Sequence, residues 1–415
     1  MTLKIRLAIM NFLQFAVWGS YLTCMGIYLS RVGMGSHIGA FYAMQGIVSI
    51  FMPPVMGFIA DRWIPAQRLF GYCHIVAGFF MLMLGWYGYI YGHQVEFSIL
   101  YGLFSMSIAF YMPTLSLSYS TAYSAMHQAG MDTVKEFPAI RMFGTVGFIA
   151  TMWFVDLLDY EQSYYQFIVS GVLSLLLFFY SFLLPSCPIV KLKKKSFSSI
   201  FGLEAFTLFR QRKMAIFFIF SIFIGVCLHI TNAFATPYIS HFQNIPEYAE
   251  SFGVKYPVLL YSISQVSETF CILLIPFFMP RYGIKNVMLI AIFAWVLRFA
   301  FLGAGNPGNG IWLFILSMII YGVAFDFFNI SGSLFVNNSA PAELRSSAQG
   351  LFILMTNGLG ATIGSLAAQT LVNNYTTADG HIEWTTCWYL FAAYALVIAI
   401  AFALIFRPKK KDLKV

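Results

Sequence analysis

Two acidic residues lie in the middle of long apolar runs, where a charge is costly. The chain has 16 Asp and Glu residues, and these two are Glu268 and Asp326. A charged side chain at the centre of a bilayer costs about 2.5–3.5 kcal/mol on insertion scales, so such residues usually face a cavity or a partner and mark a substrate or proton path. A structural ion pair inside a helix bundle is the alternative. We therefore take both acids as candidate proton-coupling residues, able to take up a proton outside and release it inside.

Polar residues recur at helical spacing around these acids and in two further apolar runs. The four strips are Gln265 with Glu268, Asp326 with Asn329, His229 with Asn232, and Arg141 with Thr145 and Phe148. Steps of three or four residues put such groups on one face of a helix. Polar packing between helices accounts readily for one such strip. Four strips fit better with a water-filled central cavity, which we predict as the substrate site.

Aromatic residues accompany the polar strips and suggest the chemistry of the ligand. Amides, an imidazole and carboxylates supply hydrogen-bond donors and acceptors. Flat apolar faces nearby belong to Phe148, Tyr321, Phe325, Phe327 and Phe328. A neutral, hydroxyl-rich ligand with a planar ring would use both kinds of group, although in a chain with 19% aromatic residues most Phe side chains face lipid or packing neighbours.

The composition indicates that these strips belong to membrane-spanning helices. Of the 415 residues, 60% are hydrophobic and 10% are charged, too few charges to cover the surface of a soluble protein. Apolar runs reach roughly 20 residues, the length that spans a bilayer. We predict an all-α polytopic membrane protein with twelve transmembrane helices. The predicted spans are 5–31, 37–61, 68–92, 97–126, 139–159, 164–186, 213–241, 254–279, 285–304, 310–337, 346–373 and 384–407.

The distribution of basic residues predicts the orientation in the membrane. Four of the 24 Lys and Arg residues lie in the interior of a span or on the outer side of the membrane, namely Arg141, Arg298, Arg31 and Lys255. The other twenty lie at both termini, in alternate loops or at the span ends that adjoin them, so the positive-inside rule predicts a multi-pass inner-membrane protein with both termini cytoplasmic. The net charge of +8 is spread over membrane-edge loops, which argues against a nucleic-acid partner.

A polar segment in the middle of the chain divides the spans six and six. We predict an N-terminal half at 1–186, a central cytoplasmic loop at 187–212, a C-terminal half at 213–407 and a cytoplasmic tail at 408–415. The turns at 57–68 and 280–287 repeat a pattern of a basic residue, an aromatic residue and a second basic residue. Parallel six-helix repeats are typical of the major facilitator fold.

Other motifs predict structure rather than chemistry. The six cysteines are scattered without paired spacing, so neither a disulfide nor a metal site is predicted, and no cofactor is expected. Gly360 and Gly364 form a GxxxG pattern, which indicates close helix packing. We predict His74 as a hydrogen-bonded interior histidine and Arg298 as a structural ion-pair partner. No His-Glu-x-x-His motif or nucleophile–base pairing points to an enzyme.

Four motifs in order along the chain resemble the bacterial nucleoside:proton symporters of the major facilitator superfamily. They are Arg141–Phe148, Ser264–Thr269, Arg281–Met288 and Phe325–Gly332. The resemblance implies a nucleoside in the central cavity, moved inward with protons by alternating access. It also implies a set of site residues, which are Arg141, Thr145, Phe148, Asn232, Gln265, Glu268, Tyr321, Phe325 and Asp326.

The sequence departs from the family pattern at His229, where the family has Gln, and at Phe143, where it has Trp. An imidazole can titrate near neutral pH and an amide cannot, so substrate range and pH dependence are open, and xanthosine is one possible substrate. We expect a monomeric importer of nucleosides with protons, in contact with membrane lipid. A symporter of another small polar solute such as a sugar, an intramembrane enzyme and a membrane sensor are the alternatives.

Overall fold

The computed structural model describes residues 2–187, 203–341 and 344–407, and their regular structure is helical apart from one isolated β-bridge between Thr376 and Ile382. The chain separates into two compact units, Met1–Phe201 and Gly202–Val415. Most of the predicted central loop and the predicted tail lie outside the described residues. The predicted domain limits therefore stay a prediction.

The described residues of the first unit form seven α-helices, each an apolar run whose backbone hydrogen bonds are made internally, as lipid requires. They are α1 (Leu3–Gly19), α2 (Met25–Arg31), α3 (Ile38–Arg62), α4 (Ala66–Tyr91), α5 (Phe97–Gln128), α6 (Thr133–Leu157) and α7 (Tyr165–Ser181). The predicted first span is therefore two helices. The backbone N–H groups of Cys24 and Met25 both donate to the carbonyl oxygen of Tyr21 in the turn that joins them.

Glycines allow α1 and α6 to cross backbone to backbone. A Cβ atom at Gly147 would lie 2.1 Å from the carbonyl oxygen of Phe12, and one at Gly19 would lie 2.4 Å from the carbonyl oxygen of Phe148. Small residues permit this kind of close helix approach inside a membrane. The crossing holds in place the face of α6 that carries the predicted binding residues.

The second unit contains longer apolar helices. They are α8 (Arg212–His241), α9 (Pro257–Ala304), α10 (Ile311–Ser339), α11 (Arg345–Ile353), α12 (Ala361–Asn374) and α13 (Trp384–Ile405), with a 3₁₀ helix at Leu203–Arg210 and a single turn at Phe252–Lys255. Inside α9, Gly283 has φ +72° and ψ 162°, a left-handed region that favours glycine. Gly283 thus joins two helices, and it lies between the predicted spans 254–279 and 285–304.

A π-helical segment, Leu354–Gly360, joins α11 to α12. It packs closely on α8, since a Cβ atom at Gly225 would lie 2.3 Å from the carbonyl oxygen of Thr356. A Cβ atom at Gly364 would lie 2.8 Å from the Cα atom of Val226, which confirms the predicted close packing of the GxxxG pattern. Single π-helical turns occur frequently at functional sites.

The helices present apolar side chains outward, as a membrane protein requires. Among the described residues, nine helices are long and apolar enough to cross a membrane, and Tyr165–Ser181 is a shorter apolar helix. Leu273 is 72% exposed and Val397 is 66% exposed, which in water would be a large apolar surface. The all-α fold is confirmed, and the count of twelve crossings stays a prediction.

Candidate functional site

The two intramembrane acids are neighbours in the second unit. A Cβ atom at Gly322 of α10 would lie 2.6 Å from the carbonyl oxygen of Ser267 in α9, so the two helices touch one residue from Glu268 and one turn from Asp326. The two carboxyl groups interact electrostatically. Asp326 is 4% exposed and its Oδ2 atom has no hydrogen-bond partner, whereas Glu268 is partly exposed.

Aromatic rings of α10 lie beside the acids. Tyr321 and Phe325 are stacked with their ring centroids 5.7 Å apart and an interplanar angle of 4°. Trp295 contacts the Tyr321 ring edge to face at 5.9 Å. Phe325 is partly exposed and Tyr321 is buried. The buried Tyr321 ring therefore supports the partly exposed ring of Phe325.

The polar strip of α8 is held by two hydrogen-bonding partners. The hydroxyl group of Tyr261 donates to Oδ1 of Asn232 over 3.2 Å. The His229 side chain hydrogen-bonds with Asn357 of the π-helical segment, while its Nε2 atom is buried without a partner. The strip therefore offers a free ring nitrogen and the amide group of Asn232.

The prediction that Arg298 is an ion-pair partner is wrong. Its fully buried guanidinium group donates from Nη1 to the carbonyl oxygen of Ser317 at 2.8 Å and to the hydroxyl group of Ser264 at 3.3 Å. It also lies over the ring of Tyr321, 4.6 Å from the centroid, and 5.6 Å from that of Tyr261. Among the described residues no carboxylate lies within 4.0 Å of it. Aromatic rings with a negative face take the place of the expected acid.

In the first unit, Arg141 contacts two aromatic residues, Phe15 and Tyr119, that were not predicted from the sequence. The guanidinium carbon lies 3.8 Å above the ring centroid of Phe15. Its Nε atom donates to the hydroxyl group of Tyr119 over 2.7 Å. Arg141 is partly exposed, so the contacts orient a cation that still reaches the surface of its unit.

Trp18 is a second missed residue of this region. Its ring lies 6.2 Å from that of Phe148 in an edge-to-face contact, and its Nε1 atom donates to Oε1 of Gln45 over 3.2 Å. The ring centroids of Trp18 and Tyr111 are 6.3 Å apart. A spacing of three residues between Phe15 and Trp18 was the available signal, but aromatic residues are too frequent here for that spacing to stand out.

His74 is part of a closed hydrogen-bond network, as predicted. Its Nε2 atom lies 2.7 Å from Oε1 of Gln14, and its Nδ1 atom lies 2.8 Å from the hydroxyl group of Ser174. The amide nitrogen of Gln14 donates in turn to the hydroxyl group of Thr114 over 2.7 Å. The network joins α1, α4, α5 and α7. Its role is structural, because each of its polar atoms has a hydrogen-bond partner.

Most of the predicted binding side chains remain partly exposed within their own unit, a group comprising Arg141, Thr145, His229, Asn232, Gln265, Glu268 and Phe325, whereas Phe148, Tyr321 and Asp326 are buried. Asn329 is partly exposed as well, but its amide nitrogen donates to the carbonyl oxygen of Phe325 over 2.9 Å. Partial exposure is what a cavity-facing residue requires.

The described residues contain no group of three or more His, Cys, Asp and Glu side chains that could hold a metal ion. The six cysteines are free and buried. The chemistry available here is hydrogen bonding, ring stacking and proton exchange at two carboxyl groups.

The fold and these polar strips define a membrane transporter of the major facilitator type. The D-xylose-proton symporter shares the fold, with a TM-score of 0.72 at 13% identity over the whole of both chains. The sequence model of the family described as "Nucleoside H+ symporter" matches residues 1–411. The chain belongs to this family.

Individual relatives agree with that assignment. Xanthosine permease of Escherichia coli is 44% identical over 407 residues, 97% of this chain and 95% of the relative. Nucleoside permease NupG of the same organism is 43% identical over 414 residues, 99% and 97% of the two chains. The crystal structure of nucleoside transporter NupG matches with a TM-score of 0.90 over 99% of this chain and 100% of that one. These relatives are transporters, which confirms a transporter rather than an enzyme.

Proposed function

We propose that this chain is a proton-coupled symporter that imports nucleosides by alternating access. The observation that carries the proposal is the contact of α9 and α10 at Gly322, which makes Glu268 and Asp326 neighbours beside the stacked rings of Tyr321 and Phe325. Carboxyl groups can exchange a proton and hydrogen-bond to ribose hydroxyl groups, and ring faces can stack on a base. Membership of the nucleoside H+ symporter family supports the same reading.

Glu268 and Asp326 are the proposed proton-coupling residues. Two neighbouring carboxylates repel each other when both are ionised, and a single proton removes that repulsion. A protonated carboxyl group also gains a hydrogen-bond donor. Proton uptake therefore changes what the pair can offer to a ribose, and this links the proton to the nucleoside.

We propose two sets of candidate nucleoside-binding side chains, one in each half. The second half carries His229, Asn232, Gln265, Glu268, Tyr321, Phe325 and Asp326, and the first half carries Arg141, Thr145 and Phe148. Amides and carboxyl groups would bind the ribose, and an aromatic face would stack on the base. Arg141, oriented by Phe15 and Tyr119, would donate to carbonyl oxygens of the ligand.

The chain is a multi-pass membrane transporter, and we propose that it lies in the bacterial inner membrane with both termini in the cytoplasm. Twenty of its 24 basic residues lie at the termini, in alternate loops or at the span ends that adjoin them, which supports this orientation. We propose that it acts as a monomer in contact with membrane lipid.

His229 is the proposed source of base preference. Its Nε2 atom is buried without a partner, and the other side of the ring is held by Asn357. A ring nitrogen in that situation can pair with a polar edge of a purine, and xanthosine is a substrate to include because xanthosine permease is a 44% identical relative. Replacing His229 by Gln should change the ratio of xanthosine to uridine uptake more than total uptake.

Proteoliposomes provide the direct test. Labelled uridine, adenosine and xanthosine should accumulate when the outside is acidic, and a protonophore should abolish the accumulation. An excess of unlabelled nucleoside should compete, and an excess of xylose or glucose should not. Competition by the sugar alone would establish the other symporter class, and binding without any uptake would point to a sensor.

A further inference from the structure

Arg298 is an unexplained cation in the second half. It is fully buried, and its Nε and Nη2 atoms have no hydrogen-bond partner. A buried guanidinium group normally pairs with an acid and uses its donors in full. Its Nη1 atom has a structural role, because it donates to the carbonyl oxygen of Ser317 and to the hydroxyl group of Ser264. The other donors and the charge need a different explanation.

Two tyrosine rings that contact this cation also interact electrostatically with the acid pair. Tyr321 is 4.6 Å from the guanidinium carbon at its centroid and interacts electrostatically with Arg298, Glu268 and Asp326. Tyr261 lies 5.6 Å from the same carbon and interacts with Arg298 and Glu268. Its contacts with Ser264 and Tyr321 place the guanidinium group four residues along α9 from Glu268 and five residues along α10 from Asp326, without contact with either carboxyl group.

The titratable groups near the pair lie on three helices. The titratable groups that α9 presents here are Tyr261, Glu268 and the buried thiol of Cys271, and α10 presents Tyr321 and Asp326. Helix α8 carries the imidazole of His229 and the neutral amide of Asn232, which accepts a hydrogen bond from Tyr261. The rings of Trp388 and Phe391 in α13 pack on the adjacent Phe299.

We propose that Arg298 is a positioning residue for proton coupling, a fixed positive charge that stabilises the deprotonated acid pair through Tyr261 and Tyr321. The inference rests on the proposed function and deepens it. When a carboxyl O–H bond breaks, the electron pair stays on the carboxylate and the proton leaves to water. Arg298 keeps its charge throughout and lowers the cost of that step.

The test compares Arg298→Met with Arg298→Lys in purified protein. The fraction of protonated carboxyl groups is followed by their infrared C=O band as a function of pH, with Glu268→Gln and Asp326→Asn to assign the band. Loss of the cation should move the titration midpoint upward by about one pH unit. Arg298→Lys should bring the midpoint most of the way back to the wild-type value, because it keeps the positive charge. It loses the planar guanidinium geometry.

Lys285→Gln is the matched control, because it also removes one cation of α9, whose ammonium group donates to the carbonyl oxygen of Ala403. It should leave the midpoint unchanged. If Arg298→Met does not fold, Tyr261→Phe removes the intervening hydroxyl group and should give a smaller shift in the same direction. An unmoved midpoint in a folded variant, or an equal shift in Arg298→Lys and Arg298→Met, would overturn the proposal.

The infrared titration needs no nucleoside, so it separates the two proposals. If the wild-type protein accumulates no nucleoside while Arg298→Met still shifts the band, the proposed substrate is wrong and the role of Arg298 stands. If uptake is normal and the band does not move, only the role of Arg298 fails.

Discussion

Two clusters of buried polar residues, one in each half, differ in how far their polar atoms are hydrogen-bonded. In the first half, His74 uses both ring nitrogens and Gln14 uses both ends of its amide. In the second half, Asp326, His229 and Arg298 each keep a buried polar atom without a hydrogen-bond partner. Both arrangements lie among equally apolar helices, so the membrane environment does not explain the difference.

The difference separates polar residues that hold helices together from those that we expect to change a proton or a ligand during transport. A buried polar atom without a partner is expensive, and native structures retain few of them. A group that must change its proton or its ligand during a cycle cannot be fully partnered in every state. The cluster of Asp326, His229 and Arg298 therefore holds groups that we expect to change partner, while the His74 network holds four helices together.

The largest expected effect comes from neutralising the acid pair. Glu268→Gln and Asp326→Asn should each reduce uptake driven by a pH gradient by about 100-fold or more, because these intramembrane carboxyl groups are the proposed proton carriers. Exchange of labelled for unlabelled nucleoside should survive better than gradient-driven uptake. Glu247→Gln, at an exposed position of the same half, is the control; normal gradient-driven uptake in both site variants would end the proton role of the pair.

A smaller effect should follow from forcing α9 and α10 apart. In Gly322→Ala the new Cβ atom would lie 2.6 Å from the carbonyl oxygen of Ser267 and 2.7 Å from the sulfur of Cys271. The helices must move, which separates the acids and should lower gradient-driven uptake about tenfold. Gly350→Ala has nothing within 4 Å of the new atom and should be neutral. Equal uptake in the two variants would show that the contact is not needed.

Breaking the His74 network should affect stability rather than coupling. His74→Leu leaves Gln14 and Ser174 without partners, which should cost about 1–3 kcal/mol of unfolding free energy. Thermal unfolding in detergent measures the loss, and the pH dependence of uptake in the folded fraction should match wild type. His127→Leu, at an exposed histidine in α5, is the comparison. A shifted pH dependence of uptake in His74→Leu would show that this network takes part in proton coupling.

Glu161 is a buried acid of the first half outside the His74 network, and its substitution should have the smallest effect on transport. It lies in the loop between α6 and α7, and burial raises its pKa to about 7, against an ordinary 4.5, although its backbone, Gln162 and Arg31 lower it in part. The folded state then binds more protons than the unfolded state between these values, so stability is lost as pH rises from about 4.5 to about 7.

The wild-type protein should lose up to about 3 kcal/mol over that range, and Glu161→Gln should lose less. The measurement is thermal unfolding at pH 4.5, 6 and 8. Glu250→Gln, at an exposed loop position, should follow the wild-type curve. If Glu161→Gln does the same, burial does not control this carboxyl group.

The sequence was a good guide wherever a residue type was rare in its surroundings. A lone carboxylate stands out in an apolar run, and so do the two glycines of the GxxxG pattern. The contacts of the glycines confirm the predicted close packing, and the proton-coupling role of the two acids stays a prediction. The sequence failed where the residue type was common. Phe15, Trp18 and Tyr119 were not identified because 19% of the chain is aromatic.

Arg298 failed for another reason. A lone cation in a span predicts an acidic partner, and the chain does carry two acids in neighbouring helices. The partners are instead the rings of Tyr261 and Tyr321, 37 and 23 positions away. Helical rotation decides whether a ring or a carboxylate meets the guanidinium group, and residue spacing does not report rotation between separate helices.

The sequence alone determined the environment of this protein and its inventory of costly groups, because hydrophobicity and charge are properties of each residue type. Tertiary structure decided which of those groups meet. Glu268 and Asp326 are neighbours because Gly322 has no side chain to hold α9 and α10 apart, and Arg298 contacts two tyrosine rings where an acid was expected. Both outcomes depend on contacts of a few ångströms between helices.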